Sequence, residues 1–211
     1  MNRHFLIITL FILLSSCIGK HNSDAQKATI SEKSTEVESE TIGDTIRIDL
    51  SKSNIHWKGT KMRGAGKHEG EIELQSSFLI KNNNQLVNGS FVADMTTIGV
   101  TDIPEHEPVP RDNLNNHLKS SDFFDVEKFP TSAFEITKVK QVSSDSLLIS
   151  GNLTLKDVTK NIEFGAKYQD KIFTTKFTFD RFQWNITYEG NFADKTLVDK
   201  DVELTIRLET E

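Results

Sequence analysis

The sequence has one cysteine, four prolines, two tryptophans, two tyrosines and no excess of basic residues. Each shortage excludes something. A formal net charge of −6 offers no basic face for a nucleic acid. No apolar stretch downstream of the first residues is long enough to be a transmembrane candidate. HExxH and G-x-S-x-G are both missing, which removes the commonest zinc and serine hydrolase signatures. Helical periodicity is confined to one short segment, so a helical bundle is excluded. What the chain has instead is fourteen phenylalanines. Phenylalanine brings apolar area with no polar handle, which favours a greasy interior over a stacking platform for bases.

The N-terminus reads as an export signal. Arg3 and His4 precede FLIITLFILL, an apolar run of h-region length, and small residues follow it. The only cysteine, Cys17, stands directly behind Leu14, Ser15 and Ser16, which resembles the bacterial lipobox. That resemblance implies cleavage after residue 16, acyl chains such as palmitate on Cys17, and a membrane-anchored lipoprotein of the bacterial cell envelope. The protein would face the periplasm, with surface exposure left open. A buried or reactive thiol is the plainer alternative. Residues 17–44 are Ser, Thr, Glu, Lys, Asn and Gln with scarcely any apolar side chain, so they read as a flexible polar tether whose coil span is about 30 Å.

Residues 45–211 read as strand after strand in one domain. Ile46, Ile48 and Leu50 alternate with polar neighbours, as do Phe173, Thr175, Phe177 and Phe179, and Val202 through Leu208. Gly151 interrupts LLISGNLTLKDV as a bulge or bend would. One-face burial in every strand implies antiparallel pairing, so the fold class is all-β. A sandwich and a closed up-and-down barrel of about eight strands both satisfy this pattern. The wealth of inward phenylalanines and a long mid-chain connector favour the barrel, whose interior is filled by side chains or holds one small ligand.

That connector is RDNLNNHLKSSDFFDVEKFP, from Arg111 to Pro130. Asp112 can cap a short helix that puts Leu114 and Leu118 on one face beside His117. Ser120, Ser121 and Asp122 stop it, and Pro130 forces Phe129 out of helical conformation before the next strand. Phe123, Phe124 and Phe129 in so short a connector read as a lid or plug.

Several patches of 45–211 together resemble the YceI-like family: SNIHWKGTK, GKHEGEIEL, VADMTTIGV, LNNHLKSSDFFDVEKFPTSAFEI, ISGNLTLKDVTKNIEF, FDRFQWNITYEG and LVDKDVELTIRL. The resemblance implies a lipocalin-like barrel with a short helical lid, binding a polyisoprenoid or isoprenoid-quinone tail without cofactor or catalysis. Storage or transfer of that lipid follows as the expected role. Candidate lumen and lid residues are Phe78, Phe91, Met95, Leu118, Phe123, Phe134, Leu153, Leu155, Phe164, Phe177, Phe179 and Trp184. Each could equally be plain core. Arg111, Lys119 and Arg181 are the head-group candidates, with solvated charges or pairs to nearby aspartates as the alternative. Two other readings stay open. One is a ligandless structural or interaction barrel of the envelope; whether the barrel forms a homodimer is a separate question that the sequence leaves undecided. The other is an enzyme or metal site using His106 or His117, although the Glu105-His106-Glu107 triplet lies among prolines on a loop.

Overall fold

The computed structural model describes residues 23–36, 42–62, 64–83, 85–187 and 198–211. Cys17 and the expected signal segment lie outside the described residues. Ten strands, one α-helix and one 3-10 turn account for most of the rest. They are β1 (Gln26–Lys27), β2 (Thr29–Glu32), β3 (Asp44–Lys61), β4 (Gly66–Asn82), β5 (Gln85–Val100), α1 (Pro108–Lys119), β6 (Thr131–Gln141), β7 (Ser146–Leu155), β8 (Val158–Gln169), β9 (Ile172–Asp180), the 3-10 turn Arg181–Trp184 and β10 (Val198–Thr210).

Strands β3 to β10 pair antiparallel in sequence order, and β10 returns to β3, so eight strands close an up-and-down barrel. Closure leaves no long edge exposed, and short connections follow from the antiparallel order. The β8–β9 turn shows how local chemistry sets this: Asp170 and Lys171 both hold positive φ, as a two-residue hairpin of the I′ kind requires. At the other end of the barrel lie α1 and the 3-10 turn.

Helix α1 begins at Pro108, four residues before the expected cap at Asp112. Pro108 and Pro110 occupy its first turn, where their fixed φ suits the helix and their missing N–H costs no intrahelical bond. It ends as the sequence implied, with the Ser120 hydroxyl donating to the His117 carbonyl at 2.8 Å. Gly151 is not a bulge. The register slips on the partner strand, between Ile136 and Lys138 of β6, and β7 runs straight. The glycine is needed because the Phe134 ring crosses it: a Cβ there would stand 2.3 Å from the ring edge.

Part of the stretch expected to be tether is wall. The β8–β9 ladder spans only Ala166–Gln169 against Ile172–Thr175. Beyond it the two strands splay, and the Thr175 hydroxyl donates to the Gly165 carbonyl at 2.7 Å where a ladder bond would otherwise follow. The N-terminal segment fills the gap. β1 pairs parallel with β9 at Phe177 and Thr178, and β2 pairs antiparallel with β8 from Glu163 to Lys160. Ala28 is buried between them and donates its N–H to the Thr178 carbonyl at 2.8 Å. Backbone hydrogen bonding explains the capture: splayed strands leave unpaired donors and acceptors, and a polar segment needs few apolar side chains to satisfy them.

Candidate functional site

The barrel encloses a cavity of about 250 Å³. Its lining draws on two buried clusters. One is large and includes Phe164, Phe177, Phe179 and Leu208. The other is a smaller cluster of Trp57, Met95, Ile98, Val100, Leu118 and Val126 beneath α1. A void of this size in a packed interior has room for about eight waters at liquid density, far beyond an ordinary packing defect.

Strand alternation builds its wall. Phe91 and Met95 of β5, Phe134 of β6, Leu153 and Leu155 of β7, Phe164 of β8 and Phe177 and Phe179 of β9 all line it. Their rings form a continuous belt, with centroid separations of 6.1 Å from Phe91 to Phe134, 5.6 Å to Phe164 and 4.3 Å to Phe177, where the two planes stack at 14°. The lid contributes Leu114, His117 and Leu118 from α1, then Phe123 and Phe124. The Phe123 ring meets His117 edge-on at 5.6 Å. Phe129 is not among the lining residues; Lys128 lies over its ring at 4.9 Å.

Two of the expected lumen residues stand elsewhere. Phe78 is 38% exposed on the outer face. The β4 register against β5 shifts between Leu74 and Ser76, and that bulge reverses the alternation, sending Leu79 inward in place of Phe78. Trp184 is fully buried but outside the cavity lining. Its ring meets Phe179 at 89° and its Nε1–H donates to the Leu153 carbonyl at 3.0 Å, so it plugs the wall from the 3-10 turn.

Of the three cations, Arg181 alone reaches the cavity lining, and its side chain is 2% exposed on the residue scale. Its Nη1–H donates to the Ile186 carbonyl, while Nε–H and Nη2–H donate to the carbonyls of Asp199 and Val198, each at 3.3 Å. The guanidinium also lies over the rings of Phe182 and Phe123, at 4.7 and 5.2 Å. Burial lowers its pKa below an ordinary arginine's, against the opposing pull of Asp180 and Asp199. Arg111 instead pairs with Glu105 at 3.5 Å, and Lys119, at the end of α1, is not in the lining. Lys61, Lys67 and His68 complete the polar mouth, with His68 Nδ1 3.1 Å from an Asp102 carboxylate oxygen. His106 stands exposed on the loop before α1, 3.9 Å from Glu107. It does not share the cavity with His117. Among the described residues no cluster of three or more metal-ligating side chains forms.

Trp57, Ile55, Leu204 and Ile206 also line the cavity. Their alternation marked them as strand residues, and the same phase would have placed them inside. Trp57 lies across Gly70, where a Cβ would come within 2.8 Å of the indole and 1.8 Å of the Gly99 carbonyl. Its Nε1 is the buried side-chain polar atom left without a hydrogen-bond partner among the described residues.

A model of the YceI-like domain matches residues 46–210. Among curated proteins, a UPF0312 protein of Azotobacter vinelandii is 43% identical over 54 residues, 26% of this chain and 28% of the relative. A UPF0312 protein of Pseudomonas aeruginosa is 51% identical over 53 residues, 25% of this chain and 27% of its own length. The chain thus spans about a quarter of the length of these curated relatives. Two solved structures share the fold. BcnA of Burkholderia cenocepacia superposes with a TM-score of 0.62 at 15% identity, over 76% of this chain and 98% of that one. A polyisoprenoid binding domain from Saccharophagus degradans, implicated in plant cell wall breakdown, does so at 0.57 and 12% identity, over 79% and 97%.

Proposed function

This chain belongs to the YceI-like domain family, and from that premise we propose that it holds a polyisoprenoid lipid, or the tail of an isoprenoid quinone, in its lumen. The observation that carries this is the cavity of about 250 Å³, walled mainly by the phenylalanine belt and aliphatic side chains, with its charged residues at the mouth. Each methylene moved from water into such a wall contributes about 0.8 kcal/mol, so a ten-carbon stretch contributes roughly 8 kcal/mol before the costs of association. Shape and a dry wall suffice for a prenyl chain. No cofactor and no covalent step is needed.

The protein stores or hands on this lipid in the bacterial envelope, anchored through acylated Cys17 and facing the periplasm. A self-filled structural barrel would instead have a packed interior, and the cavity weighs against it. The test is native mass spectrometry of the purified protein, then organic extraction and identification of what is released. A prenyl lipid near one per chain is the expected result. A protein that stays free of lipid after incubation with prenyl quinones would overturn the reading.

A further inference from the structure

We propose that residues 23–36 form a removable strap, and that its release opens the ligand cavity sideways between β8 and β9, giving a lipid chain a lateral port. The inference rests on the lipid-binding reading above, but its argument is geometric. Among the described residues, only at this seam does a further segment of the chain pair with the two neighbouring wall strands. Here the direct ladder stops at Ala166 and Thr175, and the next inward residues on the two strands, Phe164 and Phe177, both line the cavity. The strap covers the splayed seam outside them. Without it, the stacked rings of Phe164 and Phe177 are what separates the cavity from the surroundings at that point.

The strap is held in a way that permits release. Two residues pair with β9 and four with β8, against the nine-residue β9–β10 ladder beside them. Ala28 is its buried apolar side chain, with Ile30 packed partly against the core. Its other fastenings are polar. Lys27 pairs with Asp201 at 2.9 Å, Glu32 with Lys160 at 2.7 Å and Asp24 with Lys176 at 2.5 Å, each with at least one side chain well exposed. Solvated pairs of this kind contribute little and are weakened by salt. At its two ends, Ser23 donates its hydroxyl to Glu203, and Asn152 exchanges two hydrogen bonds with the Ser34 backbone, at 2.9 and 3.0 Å.

The strap also sets where the port faces. Ser23 follows Cys17 by six residues, a fully extended reach of only about 20 Å. In the anchored protein proposed above, the docked strap therefore holds the β8–β9 seam beside the bilayer, so the port begins to open facing the membrane. Once the strap is free, the tether runs on to Asp44, an extended reach of roughly 90 Å, and the barrel can move away.

The test locks the strap. Thr29 and Glu163 are direct antiparallel partners, and such pairs lie about 4.5–5.5 Å apart at Cα, within disulfide range. In the full chain, Thr29→Cys with Glu163→Cys is compared oxidised and reduced. The readout is uptake of menaquinone-4 from phosphatidylcholine vesicles, followed by quenching of tryptophan fluorescence. Oxidation is expected to slow uptake about tenfold or more while final loading stays the same, with reduction restoring the rate. Equal rates in the two forms overturn the port. Amide exchange in the unlocked wild type provides a reading independent of ligand: the Ala28 amide and those of β2 should exchange about tenfold or more faster than the β3–β4 ladder. Strap amides as protected as that ladder overturn the proposal. If no form loads the quinone, the ligand reading falls, and the exchange rates alone decide the strap.

Discussion

Replacing Arg181 with lysine separates two roles for the cation at the cavity mouth. The arginine fork reaches three backbone carbonyls and stacks against Phe182 and Phe123. An ammonium can satisfy one of those carbonyls, and it lacks the planar face. The two contacts at 3.3 Å are long and count for little. Loss of the fork geometry and of ring contact in a buried site should therefore cost about 2–4 kcal/mol. For a domain of this size each kcal/mol lowers Tm by about 2–4 °C, so Arg181→Lys should melt roughly 4–16 °C lower. Circular dichroism melting of the lipid-free protein measures this, with prenyl-quinone loading followed in parallel at a temperature where both proteins are folded. A Tm within about 2 °C of wild type, combined with a tenfold loss of lipid affinity, would refute the reasoning. Arg181 would then be a head-group ligand and not the tie between the 3-10 turn and the start of β10.

Three further perturbations test other parts of the structure. Trp57→Phe removes a buried donor with no partner among the described residues, so urea denaturation should show the lipid-free protein unchanged, or more stable by up to about 1 kcal/mol; a loss of 2 kcal/mol or more would show that the indole N–H is satisfied. Gly151→Ala puts a Cβ into the Phe134 ring and should cost about 1–3 kcal/mol, with Phe134→Leu in the same chain recovering part of it; simple additivity of the two losses would speak against that contact. Glu203 is the third. Burial raises its pKa, but Ser23, Lys58 and Lys176 outweigh that and hold it below the ordinary 4.5. A folded-state value below the unfolded one stabilises above the unfolded value and is lost as pH falls through the folded one. Glu203→Gln should therefore be less stable than wild type by on the order of 1 kcal/mol at pH 7, with the gap narrowing as pH falls below the ordinary glutamate value; a gap that does not change with pH would assign the loss to something other than charge.

The barrel was legible in advance because a half-buried antiparallel strand must alternate, and one closed sheet repeats that constraint in every strand. The phase of Phe91, Phe134, Phe164, Phe177 and Phe179 in their strands follows from it. Phe78 shows the limit of the argument. A bulge inserts one residue and flips everything beyond it, and nothing local to GKHEGEIELQSSFLIKN marks where the insertion falls. Trp57 shows another: its phase in β3 points it inward, but that its indole needs a bare Gly70 beside it is settled between strands and within no single one of them.

Alternation and composition by themselves determined an all-β domain with a greasy interior and a lid built on the segment around Leu114 to Phe124. These are local properties, each written in a few consecutive residues. Tertiary structure alone decided which greasy positions enclose space and which fill it. It turned Arg181 inward to backbone carbonyls and left Arg111 on α1, paired with Glu105. It also took Gln26 to Glu32, a stretch with the composition of a linker, into the barrel wall. The reason is that backbone hydrogen-bonding capacity is the same for every non-proline residue. A polar segment becomes a strand when two distant strands part and leave their donors and acceptors for it, and that opening exists only once β8 and β9 have folded.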